Sequence, residues 1–359
     1  MECDDMAQLI KLQDYISRYQ IDLNRYPTQF VRLKRTQWES VKEQWEHGGP
    51  AQTWEPVMAL PEEEEKPRAT LLQRLFGRKK STEEEEEVDL EEVSVDSELD
   101  EEDVIPEEAT TLHFESKIVF EPKTIEELKR MYLDQFFHFQ IKWASSTLLE
   151  KSYVDPRYIR DTLLRTFMQG LPDNYFLLYF PVFQVKKAPV EVDMILITPT
   201  EVLCITPIEV QDQAVYVADG ERFWTQKIDK SSKKILSPII QLNRMETIVT
   251  SLMHYNDIEL PVRRIVLSRN GYIDYPGTSF QTQFIDKRKF EEWFLQLKRA
   301  KSPMKHMQIK AAAVLLENTE TTSFQRDLWK SEEEAAEHAA EQERNDQPLQ
   351  PVEQEQKEQ

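Results

Sequence analysis

Residues 191–210 read EVDMILITPTEVLCITPIEV, and this stretch decides how the rest of the chain is interpreted. Two apolar runs rich in β-branched residues flank a Thr-Pro-Thr turn, which is the pattern of two adjacent buried strands. One acid, Asp193, lies within the first run. A carboxylate in a buried strand costs several kcal/mol unless it is paired, hydrogen-bonded or metal-bound. Asp193 is therefore the most informative polar residue of the chain.

Regular elements are predicted on both sides of this stretch. Further runs of β-branched and aromatic residues indicate strands, and Asp219-Gly220 suits a two-residue hairpin turn. Apolar residues at helical spacing, bounded by capping signals such as Asp155-Pro156, indicate helices before and after the strands. Over residues 117–320 this order predicts an α/β or α+β domain in which helices flank a mixed β-sheet. The predicted strands are 175–185, 190–197, 201–210, 214–226 and 262–268, and the predicted helices are 124–150, 155–170, 237–254, 286–297 and 304–316.

Residues 1–50 are predicted to form a helical hairpin. Apolar residues recur at helical spacing in 5–22 and again in 28–47, and Gly48-Gly49-Pro50 is a strong helix stop. The apolar face of such a hairpin has to be covered. The alternatives are packing against the main domain, a dimer seam of the coiled-coil kind, and a site for a protein partner.

Acidic segments carry most of the charge of the chain. The formal net charge is -21, and nearly all of it comes from residues 61–108 and 331–359. Residues 57–110 are rich in glutamate and poor in aromatic residues, which predicts a disordered acidic linker, and the tail has the same character. Within the linker, residues 70–80 read TLLQRLFGRKK, a short apolar and basic island. This island is either a docking motif for a partner or anionic surface, or a transient helix neutralised by its flanks.

The composition argues against several classes of protein. Two cysteines, Cys3 and Cys204, give neither a disulfide framework nor a thiolate metal site. Seven glycines provide no phosphate-cradling loop, and six histidines show no ligand spacing. The most apolar run, YFLLYFPVF, is too short to span a bilayer, and the start of the sequence lacks the positive charge of a secretory signal. A cytoplasmic protein with no transmembrane segment is expected.

The strands around Asp193 resemble the nuclease-related domain (NERD) family, a relative of the PD-(D/E)XK nucleases. The likeness extends over about residues 155–275. It implies a PD-(D/E)XK nuclease-like fold and, for an active member, cleavage of DNA or RNA with Mg²⁺ or Mn²⁺. The residues that carry it, in the order and spacing of the family, are VDMILITPTEVLCI (192–205), Trp224, SPIIQLNRM (237–245) and RRIVLS (263–268).

The resemblance assigns roles residue by residue. Asp193 matches the metal-binding aspartate of the family, and Gln241 matches the glutamine that opens the following helix near the site. The Glu-x-Lys pair of the family falls on Thr206 and Ile208, so both of these catalytic positions are changed. Near the position of the family's helical glutamate, only Asp161 is able to substitute.

Two hypotheses of function remain open at this point. In the first, the chain is a bacterial, cytoplasmic NERD-domain protein with a degenerate nuclease site, and it serves as a binding or scaffold module. In the second, it is an active nuclease that binds the divalent ion through Asp193 and uses Asp161 and a displaced Glu209. The displacement requires Pro207 to force a bulge in its strand. Asp193 is then either a metal ligand or a structural acid, paired with a cation or partly exposed.

A basic cluster keeps nucleic-acid binding open under both hypotheses. Residues 227–234 read KIDKSSKK, directly before a predicted helix. Clustered cations are the electrostatic footprint of a phosphate-binding surface. The alternative interpretation is a solvated loop. The candidate contacts to DNA or RNA are Lys227, Lys230, Lys233, Lys234 and Arg244, with Lys186 and Lys187 on a preceding strand end.

Overall fold

The computed structural model describes residues 6–47, 122–147, 150–185, 188–210, 213–277, 281–300 and 302–321. The chain divides into two compact units, and the described residues all belong to one of them. The acidic linker predicted at 57–110, its basic island at 70–80, the tail predicted from 331, and Lys186 and Lys187 lie outside the described residues.

The described part of the chain is a mixed α/β structure. Its strands are β1 (Gln8–Leu12), β2 (Phe176–Tyr179), β3 (Val182–Val185), β4 (Ala188–Glu191), β5 (Met194–Ile197), β6 (Val202–Pro207), β7 (Val215–Val217), β8 (Phe223–Ile228), β9 (Ser231–Leu236), β10 (Val262–Leu267), β11 (Tyr272–Asp274) and β12 (Thr282–Ile285). Its α-helices are α1 (Arg25–Glu46), α2 (Ile125–Trp143), α3 (Pro156–Ile159), α4 (Thr162–Gly170), α5 (Pro238–Tyr255), α6 (Phe290–Arg299) and α7 (His306–Glu317). Helices flanking a mixed sheet confirm the predicted fold class.

The main sheet has six strands in the order β1-β2-β5-β6-β10-β12. Strand β5 runs antiparallel to β2 and β6, whereas β1, β10 and β12 each pair in parallel. Every residue of β2 and β5 is buried. Three helices contact the sheet: α2 contacts β1, α5 packs on β6 and β10, and α7 packs on β5. Burial on both faces explains the uninterrupted apolar runs in the sequence.

The stretch at 191–210 forms the predicted pair of adjacent strands. Strands β5 and β6 are antiparallel, with Met194 opposite Ile205. The hydroxyl oxygen of Thr198 accepts hydrogen bonds from the backbone N–H groups of Thr200 at 3.3 Å and Glu201 at 3.0 Å. A side chain thus closes the turn and fixes the register of the pair.

A second sheet has four strands in the order β11-β7-β8-β9. One face is buried and includes Tyr216 and Trp224, each 1% exposed. The segment KIDKSSKK lies in the hairpin of β8 and β9, so its interpretation as a solvated loop is wrong. The six residues of β9, SSKKIL, pair one by one with β8 although they lack apolar alternation. The partner strand, rather than the local sequence, decides their conformation.

The N-terminal helical hairpin is predicted correctly in its second arm and wrongly in its first. Helix α1 confirms the second arm, but residues 8–12 form β1, an edge strand in parallel register with β2. All five residues of β1 are buried. The apolar residues of this segment fit a helix as well as a strand that is buried on both faces, and the tertiary pairing decides between them.

The apolar face of α1 packs against α2 through an aromatic cluster. The ring centroids of Phe30 and Phe136 lie 5.1 Å apart, and those of Trp38 and Tyr132 lie 5.4 Å apart. The Tyr132 hydroxyl donates a hydrogen bond of 2.6 Å to the Lys34 carbonyl. Among the alternatives for this face, the described residues show packing within the same unit.

Three predicted helices differ in extent. The helix predicted at 124–150 ends at Trp143. The helix predicted at 155–170 divides into α3 and α4, because Asp161 accepts hydrogen bonds as a new N-cap. The helix predicted at 286–297 begins at Phe290, four residues after Asp286, and its N-cap is Lys289. Among the described helices, none has the length and apolar character needed to cross a bilayer.

Lys11 joins the N-terminal segment to the last described residues. Its side chain is fully buried (0% exposed) on β1. The ammonium group donates to the Tyr15 carbonyl at 2.8 Å, the Gln20 Oε1 at 3.2 Å and the Thr321 hydroxyl at 3.0 Å. Burial lowers the pKa of Lys11 to about 7. We call Lys11, Tyr15, Gln20 and Thr321 the Lys11 clasp.

Candidate functional site

Asp193 lies between β4 and β5, beside the residue that replaces the family's glutamate. Its carbonyl accepts a hydrogen bond from the Phe180 N–H at 2.8 Å. The register of β5 and β6, continued by one residue, places Asp193 opposite Thr206. The Thr206 hydroxyl donates to the Asp193 Oδ2 at 2.7 Å. Counting residues along the two strands therefore identifies Thr206 as a neighbour of Asp193.

The surroundings of Asp193 favour its protonated form. Burial raises the pKa of this carboxyl, the hydrogen bond from Thr206 opposes that effect, and the charge of Glu191 raises the pKa further. Among the described residues, none forms an ion pair with Asp193. Two structural interpretations of Asp193 are a partly exposed acid and an acid paired with a cation. The geometry matches a partly exposed acid that is hydrogen-bonded by the Thr206 hydroxyl.

Asp161 uses both carboxylate oxygens as a structural acceptor. As the N-cap of α4, its Oδ1 accepts from the N–H groups of Leu163 at 2.8 Å and Leu164 at 3.0 Å. Its Oδ2 accepts from the Tyr179 hydroxyl at 2.6 Å. Burial, followed by the charge of Asp161, raises the pKa of Tyr179, so this tyrosine stays a donor.

Glu209 is held by Arg269, a residue that sequence reasoning missed. The Glu209 carboxylate accepts from the Arg269 backbone N–H at 2.8 Å and from its Nη2 at 2.7 Å. Arg269 also donates to the Thr162 carbonyl and the Thr166 hydroxyl, so it ties the end of β6 to α4. Both members of the ion pair are less than one fifth exposed. In the sequence, the only indication of this role is that Arg269 directly follows a predicted strand.

The displacement of Glu209 by a bulge at Pro207 does not occur. Strands β6 and β10 pair in parallel without a register shift from Val202 to Pro207. The Ile208 N–H continues the ladder by donating to the Leu267 carbonyl at 2.8 Å. Pro207 is accommodated within the ladder, and the expected bulge was therefore wrong.

Gln241 and Arg244 lie on the exposed side of α5. The buried residues Leu242, Met245 and Val249 of this helix face the sheet, whereas Gln241 and Arg244 are exposed. Helix α5 begins at Pro238, as the sequence predicts. The structure therefore places Gln241 near the start of the helix, and in the described ranges the side chain of Asp193 is hydrogen-bonded to Thr206 and not to Gln241.

The donor set around Asp193 does not fit Mg²⁺ or Mn²⁺. Such ions are held by several oxygen ligands, usually including more than one carboxylate. In the described ranges no group of three or more His, Cys, Asp or Glu side chains is arranged to hold a metal ion. The carboxylates of Asp161 and Glu209 are engaged elsewhere, which leaves Asp193 without a second carboxylate ligand from either of them.

Four of the five basic candidates in the described ranges lie together on the hairpin of β8 and β9, and the fifth, Arg244, lies on α5. Lys227, Lys230 and Lys233 are exposed. Lys234 is also exposed but forms an ion pair with Asp219, which in turn accepts a hydrogen bond of 2.7 Å from the Thr225 hydroxyl. The side chain of Lys234 is thus partly neutralised, while the other three lysines remain available to phosphates.

Replacing Asp193 with asparagine is expected to leave the fold as stable or slightly more stable at neutral pH. Because burial raises the pKa of Asp193 above its ordinary value of 3.8, the folded state loses stability as the pH rises from that value through the raised pKa. Asparagine stays neutral and still accepts from Thr206. We expect a gain on the order of 1 kcal/mol at most, lost in acid, where Asp193 is protonated too. Urea unfolding at neutral and acidic pH measures it. A marked loss of stability, or Mn²⁺ binding that the variant loses, contradicts the interpretation of a structural acid.

Comparison with known proteins identifies a domain in this region. Residues 159–268 match the family model of the nuclease-related domain, which confirms the resemblance. A protein of Geobacillus stearothermophilus, named RNA 2',3'-cyclic phosphodiesterase, is 31% identical over 145 residues. That alignment covers 38% of this chain and 37% of the relative, so the chain spans little more than a third of it. No solved structure matches.

Proposed function

We propose that residues 159–268, which match the family model of the nuclease-related domain, bind nucleic acid without cleaving it. The observation that carries the proposal is the contact between Asp193 and Thr206, a 2.7 Å hydrogen bond from a neutral hydroxyl at the position of the family's glutamate. A second carboxylate there would share a metal ion with Asp193. A threonine instead stabilises a lone carboxyl.

The chemistry of phosphodiester hydrolysis supports the absence of cleavage. A divalent ion activates water and neutralises the developing charge, and a lysine commonly assists. Ile208 at the lysine position offers neither charge nor hydrogen bond. The two other acids considered for catalysis, Asp161 and Glu209, serve as a helix cap and as the partner of Arg269. Asp161 and Glu209 thus hold the fold together where a nuclease would use carboxylates for catalysis.

The ligand class is inferred from the family and from charge. A nuclease-related domain is suited to nucleic acid, and phosphate contacts by Lys and Arg supply most of the sequence-independent affinity for it. The β8 and β9 hairpin presents such cations to solvent. Binding of this kind needs no metal and no ordered catalytic group.

A second candidate is suggested by the name of the Geobacillus protein, which refers to 2',3'-cyclic phosphodiester bonds in RNA. Opening such a bond requires a general acid and a general base that face each other across the phosphate. The described contacts around Asp193 contain one carboxyl and one hydroxyl. RNA ending in a 2',3'-cyclic phosphate is therefore one of the substrates that test the proposed function.

The test combines cleavage and binding on the same full-length protein. The substrates are supercoiled plasmid, single-stranded DNA, single-stranded RNA, and RNA ending in a 2',3'-cyclic phosphate, each with Mg²⁺ or Mn²⁺. The protein and its Asp193→Ala variant are expected to cut none of them, while fluorescence anisotropy detects binding. Cleavage that Asp193→Ala abolishes overturns the proposal in favour of a nuclease. Absence of binding to every nucleic acid overturns the ligand class.

A further inference from the structure

One face of the second sheet is open to solvent. Its three most exposed apolar side chains are Phe223 at 48%, Leu236 at 47% and Val215 at 37%. The opposite face holds the buried Trp224 and the side chains next to it. A sheet with one buried and one solvent-facing side normally exposes polar residues. Exposed large apolar groups on such a face indicate a binding surface.

The strand register defines how the side chains of the open face are arranged. Residues two apart on a strand share a face, and residues paired between strands lie side by side. One row runs through Tyr272, Val215, Lys227 and Ser232. The next row runs through Asp274, Val217, Thr225 and Lys234. The last row pairs Phe223 with Leu236.

Phe223 stands at the edge of an open depression. The depression has a volume of about 480 Å³ and is lined by Asp219, Gly220, Arg222, Phe223 and Lys234. The Arg222 guanidinium lies 5.6 Å from the centre of the Phe223 ring. Asp219 is exposed and already paired with Lys234, which lowers its pKa and offsets its charge. The depression therefore combines an accessible ring, an arginine and a neutralised acid.

The charges on the hairpin match a polyanion. Residues 219–236 contain five cationic side chains and three acids, Asp219, Glu221 and Asp229, of which Asp219 is paired with Lys234. Phe223 and Lys227 lie on the same face and strand, roughly 13 Å apart along the strand. The acid of the open face, Asp274, lies on β11 at the far side of the sheet. A bound polyanion would therefore follow β8 and β9.

We propose that this open face binds single-stranded nucleic acid. A base stacks on Phe223 beside Arg222, and the phosphates that follow contact Lys227 and Lys230. A duplex keeps its bases stacked inside and cannot offer one to the ring, whereas a single strand presents every base. The proposal rests on nucleic-acid binding by the domain and adds the strandedness and the residues of recognition.

Anisotropy titrations of the full chain with labelled single-stranded RNA, single-stranded DNA and duplex DNA test this proposal. Phe223→Ala is expected to weaken binding of the single strands about tenfold, with little change in salt dependence. Phe223→Trp retains a stacking ring and is expected to bind as well as the original chain. Tyr255→Ala is the matched control, since Tyr255 is an aromatic residue 87% exposed on α5.

The possible outcomes separate this inference from the proposed function. Unfolding curves show whether each variant is folded, and Phe223 is exposed enough for its replacement to be tolerated. Tighter binding of the duplex than of the single strands, or single-strand binding by Phe223→Ala equal to that of the original chain, overturns the inference and leaves nucleic-acid binding intact. Equal losses in Phe223→Ala and Tyr255→Ala also overturn it. Binding of no nucleic acid at all overturns the proposed ligand class itself.

Discussion

A variant in which Lys227, Lys230 and Lys233 are all changed to glutamate is expected to bind nucleic acid at least about a hundredfold more weakly at low salt. Each lysine that contacts a phosphate releases a counterion, and its reversal to glutamate adds repulsion to that loss. All three side chains are exposed on one hairpin, so the substitutions leave the core unchanged. Lys234 is left in place because its ion pair with Asp219 would confound the result. Anisotropy over a series of salt concentrations measures the effect.

A control with the same number of charge reversals shows whether the hairpin is specific. Arg32 and Arg35 on α1 and Lys123 before α2 are exposed cations outside the second sheet. Their joint replacement by glutamate changes the net charge equally, and we expect it to weaken binding far less. The dependence of affinity on salt should also become shallower in the hairpin variant alone. Equal losses in both variants would show that net charge, and not the hairpin, governs binding.

The free energy of unfolding is expected to rise between pH 7 and about pH 10 because of Lys11. Burial lowers the pKa of Lys11 from 10.5 to about 7 in the folded chain. Between these pH values the unfolded chain carries a proton on Lys11 that the folded chain lacks, so raising the pH favours folding. The shift corresponds to a change on the order of 3–5 kcal/mol. Urea unfolding over this pH range measures the slope.

Lys11→Met isolates the contribution of this one group. Methionine fills a similar volume and has no proton to lose, so the variant should show a flatter dependence on pH. Buried tyrosines such as Tyr19, whose pKa burial raises, act in both proteins and cancel in the comparison. Identical slopes in the two proteins would mean that Lys11 remains protonated within the Lys11 clasp. The difference between the two curves is the decisive quantity.

The parts of the fold that the sequence predicts correctly are those with strong local patterns. The turn between β5 and β6 carries its own hydrogen-bonding side chain, Thr198, and flanking runs that are buried on both faces. Strands β1 and β9 lack such signals. Residues 8–12 read as helix because their apolar residues fit both periods, and β9 is polar throughout most of its length. Their conformation depends on partners that are remote or polar.

The candidate site shows the same division. The contact between Asp193 and Thr206 follows from counting residues along an antiparallel pair, so sequence reasoning reaches it. The ion pair of Glu209 with Arg269 joins residues 60 apart, and nothing in the spacing indicates it. The resemblance gives Asp161 a catalytic place, whereas the structure shows its carboxylate as a helix cap. Capping and long-range pairing are decided by the folded backbone.

The position of β1 has a consequence for how the chain is made. Gln8 hydrogen-bonds Asp173 across 165 residues, and Lys11 bonds Thr321 across 310. During synthesis β1 emerges from the ribosome before its partner β2, and Lys11 has no bond to Thr321 until still later. The earliest part of the domain to be translated is thus among the last to be completed. Until then its apolar residues lack the partner strand that buries them.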